Sequence, residues 1–153
     1  MRLRWKIMIA LLLLMLAALL WAWLFGPAWL AGFNADQQAM KRQFTQQGRE
    51  FGQRSDVQAC LDRTLSEFDQ CGGYDCTLRH DYFLKACLEI AAPTEGFCDG
   101  VPAFREAPTE DDKTWARHSC WDMDIRHEGC RLLLRQQQYW CSGAVAPDAA
   151  AGD

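Results

Sequence analysis

Apolar and polar residues alternate on three different scales along this chain. From Ile7 to Phe33 no charged residue occurs, and residues 7–25 are 19 consecutive apolar positions, followed at once by Gly26-Pro27. As a helix those 19 residues would reach about 28 Å, close to the hydrocarbon thickness of about 30 Å. Residues 34–54 are instead rich in Gln, Lys, Arg and Asp, with Met40, Phe44 and Phe51 spaced by four and seven. These three make a narrow stripe on a helix. The stripe predicts a connector that packs on its own domain, with a dimerising stalk or a partner-docking helix as the other arrangements. Gly48 and Gly52 weaken a helix here, yet they would let another backbone come close.

Beyond Arg54 the apolar positions fall into four short helical segments. Ser55 with Gln58 reads as a capping box for a helix from about Asp56 to Gln70, with Val57, Leu61, Leu65 and Phe68 on one face and Gly72 past its end. Asp75 is the expected N-cap of the next helix, which carries Tyr82, Phe83, Leu84, Leu88 and Ile90 before Pro93. So short a connection predicts that the two helices turn back on each other as an antiparallel hairpin.

The cysteines give this hairpin a geometry. Cys60 and Cys71 are eleven positions apart, as are Cys76 and Cys87. Eleven helical steps turn about 1100°, only some 20° beyond three full turns, so each pair shares one helix face. In a hairpin the inner pair meets at the turn and the outer pair meets at the far end, which predicts Cys71 with Cys76 and Cys60 with Cys87. Residues 60–87 in this respect resemble the double-stapled helical hairpin of the mitochondrial twin-cysteine coiled-coil-helix proteins, which carry nine residues inside each pair where this chain has ten. The N-terminal apolar run and the four further cysteines depart from that pattern, and no function is carried over from it.

The second half reads as a distorted repeat. After a loop punctuated by glycine and proline, Thr109 with Asp112 resembles a capping signal, and Glu110, Asp111 and Asp112 suit the positive end of a helix dipole. One helix is expected from about Glu110 to Trp121 or Met123, and another from about Arg126 to Trp140. A second hairpin would place Cys120 and Cys130 at its turn and leave Cys98, in the loop, to reach Cys141.

Eight cysteines in so short a polar region, an even number, indicate a small domain cross-linked in an oxidising compartment. Arg2, Arg4 and Lys6 precede the apolar run, and no small residues stand at suitable positions for a cleavage site. The run therefore reads as an uncleaved signal anchor, with a cleaved signal as the competing reading. The expected topology is a single pass through the inner (plasma) membrane, N-terminus cytoplasmic and C-terminal domain periplasmic or extracellular. Of the 16 Lys and Arg, three lie in the first six residues, which leaves 13 against all 20 Asp and Glu from Asn34 onward, a net charge of −7. A domain so acidic, with no basic cluster, is poorly suited to nucleic acid.

Candidate chemistry changes this picture little. Cys71, Cys76 and His80 lie close in sequence, but zinc sites usually pair ligands two to four residues apart and add a second such pair. His80 shares a face with Cys76, Phe83 and Cys87, which suits a histidine packed beside a disulfide. Cys76, in a helix's first turn, would have a lowered thiol pKa, so the inner bridge could be labile. The Cys-x-x-Cys motif and strand setting of thioredoxin-like enzymes are missing. Asp122, Asp124, His127 and Glu128 crowd one turn without the glycine-centred loop of a calcium hand, and no nucleophile elbow, Walker loop or dinucleotide fingerprint occurs. Asp99-Gly100, framed by prolines, with Trp115 is a candidate docking edge, although a Trp at helical spacing more often fills a core.

The expectation is an all-α protein: anchor over residues 1–33, connector over 34–54, disulfide-stapled domain of about four helices over 55–141, and disordered tail over 142–153. No catalytic, cofactor-binding or metal residue is assigned. The expected partners are the membrane, through residues 7–30, and an unidentified protein, with a homodimer through the connector also open. The competing function is a thiol-disulfide or ligand-binding factor acting at the Cys71–Cys76 turn.

Overall fold

The structure is a computed structural model and describes residues 2–143; the rest of the expected tail lies outside the described residues. Among the described residues the fold is all-helical, with five helices and no strand. They are α1 (Arg2–Gly52), α2 (Val57–Asp69), α3 (Tyr74–Leu88), α4 (Glu110–Asp122) and α5 (Gly129–Cys141). The chain divides into two compact units between Ala39 and Met40.

In the first unit α1 carries the apolar run, and its large side chains are exposed from Trp5 to Phe33. The helix passes through Pro27. Within the apolar run two aromatic pairs meet at helical spacing: Trp21 with Phe25, ring centroids 5.7 Å apart, and Trp29 with Phe33 at 5.8 Å. This is the one described helix long and apolar enough to cross a membrane.

In the second unit the last turns of α1 lie on α3. Gly48 and Gly52 permit this. A Cβ at Gly48 would overlap the Phe83 carbonyl, and one at Gly52 would come within 2.7 Å of the Cys87 carbonyl oxygen. Phe44 and Phe51 of the predicted stripe pack against the core, with Phe51 and Phe83 rings 6.0 Å apart. Arg63 caps both rings, its guanidinium 4.6 Å from Phe51 and 5.0 Å from Phe83.

Helix α2 starts one residue later than expected. Its N-cap is Asp56, whose Oδ1 accepts from the Ala59 amide at 2.8 Å. Ser55 is otherwise engaged: its carbonyl accepts from Ala92 N at 3.2 Å while Val57 N donates to Ala92 O at 2.9 Å, an isolated parallel bridge. The bridge is between Asp56, in extended backbone, and Ala92. Asp75 is likewise not a cap. Gly73, at φ 97°, caps α3 and accepts from Thr77 N at 3.1 Å, so Asp75 lies in the first turn. A backbone with that φ is open to glycine and strained for other residues. Helix α3 ends at Leu88, before the expected Ile90, which is exposed.

Helix α4 opens with a reciprocal capping box, Asp112 N to Thr109 Oγ1 at 3.2 Å and Thr109 N to Asp112 Oδ2 at 2.9 Å. Helix α5 begins at Gly129 and not near Arg126. The intervening residues make a tight turn through Asp124, at φ 60°, and the Ile125 amide returns to Cys120 O at 2.9 Å, burying the Ile125 side chain. Gly129 then fits where a Cβ would press on Thr77 and on the Phe68 ring.

One core serves α2 to α5. Phe68, Leu84 and Leu133 are fully covered, and Phe97 joins them from the long loop. Helix α3 packs on α2 and on α5, and α4 packs on α5. Trp140 Nε1 donates to Leu88 O at 3.0 Å, and Gln137 Nε2 donates to Phe97 O at 2.9 Å. These two side chains are thus matched across elements, as a low-dielectric interior favours.

Candidate functional site

Four disulfides use all eight cysteines: Cys60–Cys87, Cys71–Cys76, Cys98–Cys141 and Cys120–Cys130. Three of them have fully or nearly fully covered sulfurs at one end or both, since Cys60, Cys87, Cys120 and Cys130 are core residues and Cys76 is buried. The Cys71–Cys76 bridge stands apart because it closes only five positions and crosses the exposed turn Gly72-Gly73-Tyr74.

Two histidines frame that bridge. His80, one turn beyond Cys76 on α3, is buried, and its Nε2 lies 3.6 Å from Cys71 Sγ. Its ring meets Phe68 edge-on, with centroids 6.0 Å apart. His127, from the turn before α5, meets the same Phe68 at 6.1 Å and lies against Gly72. Burial drives the His80 imidazole below its ordinary value of 6.5, Glu67 acts to raise it, and Arg79 adds to the lowering. The ring is therefore neutral at neutral pH and can accept a proton, although the tautomer decides which nitrogen does so.

Cys71, Cys76 and His80 are also the only described group of three such side chains compact enough to hold a metal, with ligand atoms within 4.8 Å of one another. The two sulfurs are bonded to each other, and a disulfide lacks the thiolate charge that makes cysteine a strong ligand.

The acidic turn resolves into separate contacts. Asp124 pairs with Arg126 at 3.3 Å, Glu128 pairs with Arg131 at 2.6 Å, and His127 faces the inner bridge. The role of His127 had no local signal, because its neighbours Phe68 and Gly72 are more than fifty positions away. Trp115 is half-buried against the core, while Asp99-Gly100 forms an exposed turn.

Two carboxylates are shifted in opposite directions. Burial raises Asp81, against the Gln136 amide that donates to it at 2.8 Å. Asp112 is lowered, chiefly by the Thr109 backbone amide; the Thr109 hydroxyl and Arg105 act the same way against some desolvation. Both are explained by structural contacts and neither faces the inner bridge.

Compared with known protein families, with curated proteins and with solved structures, the chain gave no match.

Proposed function

We propose that this is a non-enzymatic, single-pass envelope protein whose exported, cysteine-rich helical domain binds a protein partner or braces a membrane complex. The observation that carries the reading is the apolar run of α1, whose large side chains are exposed from Trp5 to Phe33 and have no cover within the chain. Lipid is the natural cover for such a surface. The four disulfides favour an oxidising compartment for residues 55–141, and the three cations before the apolar run favour a cytoplasmic N-terminus. In this reading α2–α3 and α4–α5 are two antiparallel hairpins, the first stapled at both ends. Such a domain is rigid and suited to holding a surface in place.

The test is made in intact cells with the native anchor. Carbonate should leave the chain in the membrane fraction, external protease should reach residues 55–141, and in-cell crosslinking should join that domain to a defined second protein. Release by carbonate would remove the anchor, and protection from protease would reverse the topology. A domain that crosslinks to nothing would count against the binding role.

The second reading, thiol-disulfide exchange at Cys71–Cys76, is favoured by the exposed turn and the 3.6 Å contact of His80 with Cys71. A partner dithiol would supply the electrons. Its thiolate attacks Cys71 Sγ, the Cys71–Cys76 bond breaks, and Cys76 leaves as a thiolate in the first turn of α3, where the helix dipole favours negative charge. The partner's second thiol then displaces Cys71 from the mixed disulfide, so the partner ends oxidised and the bridge reduced, with His80 able to hold a proton in transit. Mass mapping of a non-reduced digest after graded dithiol treatment separates the readings. Selective opening of Cys71–Cys76 favours exchange, and equal resistance of all four bridges removes its basis.

A further inference from the structure

A groove of about 390 Å³ lies between α4 and α5, and neither cysteine of the inner bridge lines it. Its apolar residues are Pro108 before α4, Ala116 on α4, and Leu132 on α5, which is 56% exposed although its neighbours Leu133 and Leu134 are buried. Gln138 lines the same groove from one turn and a half further along α5. It is 2% exposed, and its Nε2 has no hydrogen-bond partner among the described residues. Swapping the amide oxygen and nitrogen would only exchange which of the two is left in that place. Buried amides are normally matched, and one that is not loses its water contacts with nothing in return.

The charged groups around the groove are already engaged with the protein. Both Asp112 oxygens are taken by Arg105 and the Thr109 amide. Glu128 is paired with Arg131, Lys113 with Glu110, and Arg135 donates to the Arg105 carbonyl at 3.0 Å. Lining cations (Lys113, Arg131, Arg135) outnumber lining carboxylates (Asp112, Glu128). What the groove lacks is an acceptor oxygen, in a setting that favours negative charge, attached to an apolar body that would cover Leu132 and Ala116.

We infer that the α4–α5 groove is a binding site for a small apolar carboxylate, with Gln138 donating to the carboxylate and Leu132 and Ala116 holding its hydrocarbon part. The volume falls in the range of small-molecule sites, and few polar groups in an apolar pocket are what fixes orientation in such sites. The inference is independent of both readings above.

The test uses the full chain in lipid nanodiscs, with hexanoate as probe, hexylamine as its cationic counterpart, and empty nanodiscs as the blank for partition into lipid. Hexanoate should produce saturable backbone amide shifts confined to α4, α5 and the residues before α4, and hexylamine should not. Gln138→Leu should weaken hexanoate binding at least about tenfold while leaving the melting temperature unchanged or higher, because an unmatched amide is removed. Leu132→Arg, at an exposed position that the fold does not need, should block the groove and abolish the shifts. Absence of saturable shifts, equal binding of hexylamine, or full binding by both variants would overturn the assignment.

Discussion

The α2–α3 half and the α4–α5 half share a cysteine spacing but are closed differently. In the first, Cys60 of α2 is bridged to Cys87 of α3, and Cys71, just past the end of α2, to Cys76 of α3. In the second, Cys120–Cys130 spans the turn, but Cys141 reaches back to Cys98 in the loop between the halves. That loop thereby becomes a working part of the second half. Phe97 enters the core, Phe104 meets Tyr139 edge-to-face with centroids 5.0 Å apart, and Ser142 Oγ accepts from Phe104 N at 2.7 Å. A helical pair stapled at both ends can hold itself, whereas a pair stapled at one end recruits a third segment to finish the job.

The largest expected effect tests that difference. Removing Cys98–Cys141 by replacing both residues with Ser should cost about 4 kcal/mol, and the same for Cys60–Cys87 about 3.5 kcal/mol, since the loops closed span 43 and 27 positions. Urea unfolding measures both. Only the first should also expose the loop amides to rapid hydrogen exchange, and a loop that stays protected without Cys98–Cys141 would show that it is held by packing alone.

Next in size are two glycines at close contacts. Gly48→Val would drive a side chain into the Phe83 carbonyl and should cost about 3 kcal/mol, while Gly129→Val would press on Phe68 and Thr77 where the halves meet and should cost about 2 kcal/mol. Backbone cannot move aside as easily as a threonine hydroxyl, hence the order. If Gly129→Val proves the more damaging, the junction between the halves is tighter than the seat of α1.

A smaller loss is expected from Trp140→Phe, which keeps an aromatic ring beside Phe97 but removes the bond to Leu88 O. The free energy of unfolding in urea should fall by about 1 kcal/mol, the usual worth of one such bond, plus the cost of leaving a covered carbonyl unmatched. No change would mean that water replaces the indole.

The smallest effect is a pH dependence confined to the first half. Burial lowers the His80 pKa from 6.5, so the unfolded chain takes up a proton before the folded one does. Stability is therefore complete above the unfolded value and declines as pH falls below it toward the folded value. His80→Phe should flatten this part of the urea-stability profile. A profile that keeps its slope would place the titration on another group.

Legibility in the sequence followed the range of the interactions. Helix existence was readable because apolar periodicity and caps act within a few residues; the Thr109–Asp112 box is such a case. Ser55 and Asp75 do not act as the caps their local sequence suggests, because Ala92 N bonds to the Ser55 carbonyl and Gly73, at positive φ in the tight turn, takes the cap position of α3. The start of α5 shifted because Ile125 is drawn into a core that no local pattern announces. The contact between His127 and Phe68 and the burial of Gln138 share that origin.

By itself the sequence determined an apolar run long enough to span a bilayer, an acidic cysteine-rich remainder, and helices whose periodicity and capping signals are local. Only the tertiary structure decided which glycines admit a neighbouring backbone, that two histidines meet around Phe68 beside the inner bridge, and that Gln138 is buried with its amide unmatched. Those features depend on residues far apart in sequence being brought within a few ångströms, where sterics and desolvation first act on them.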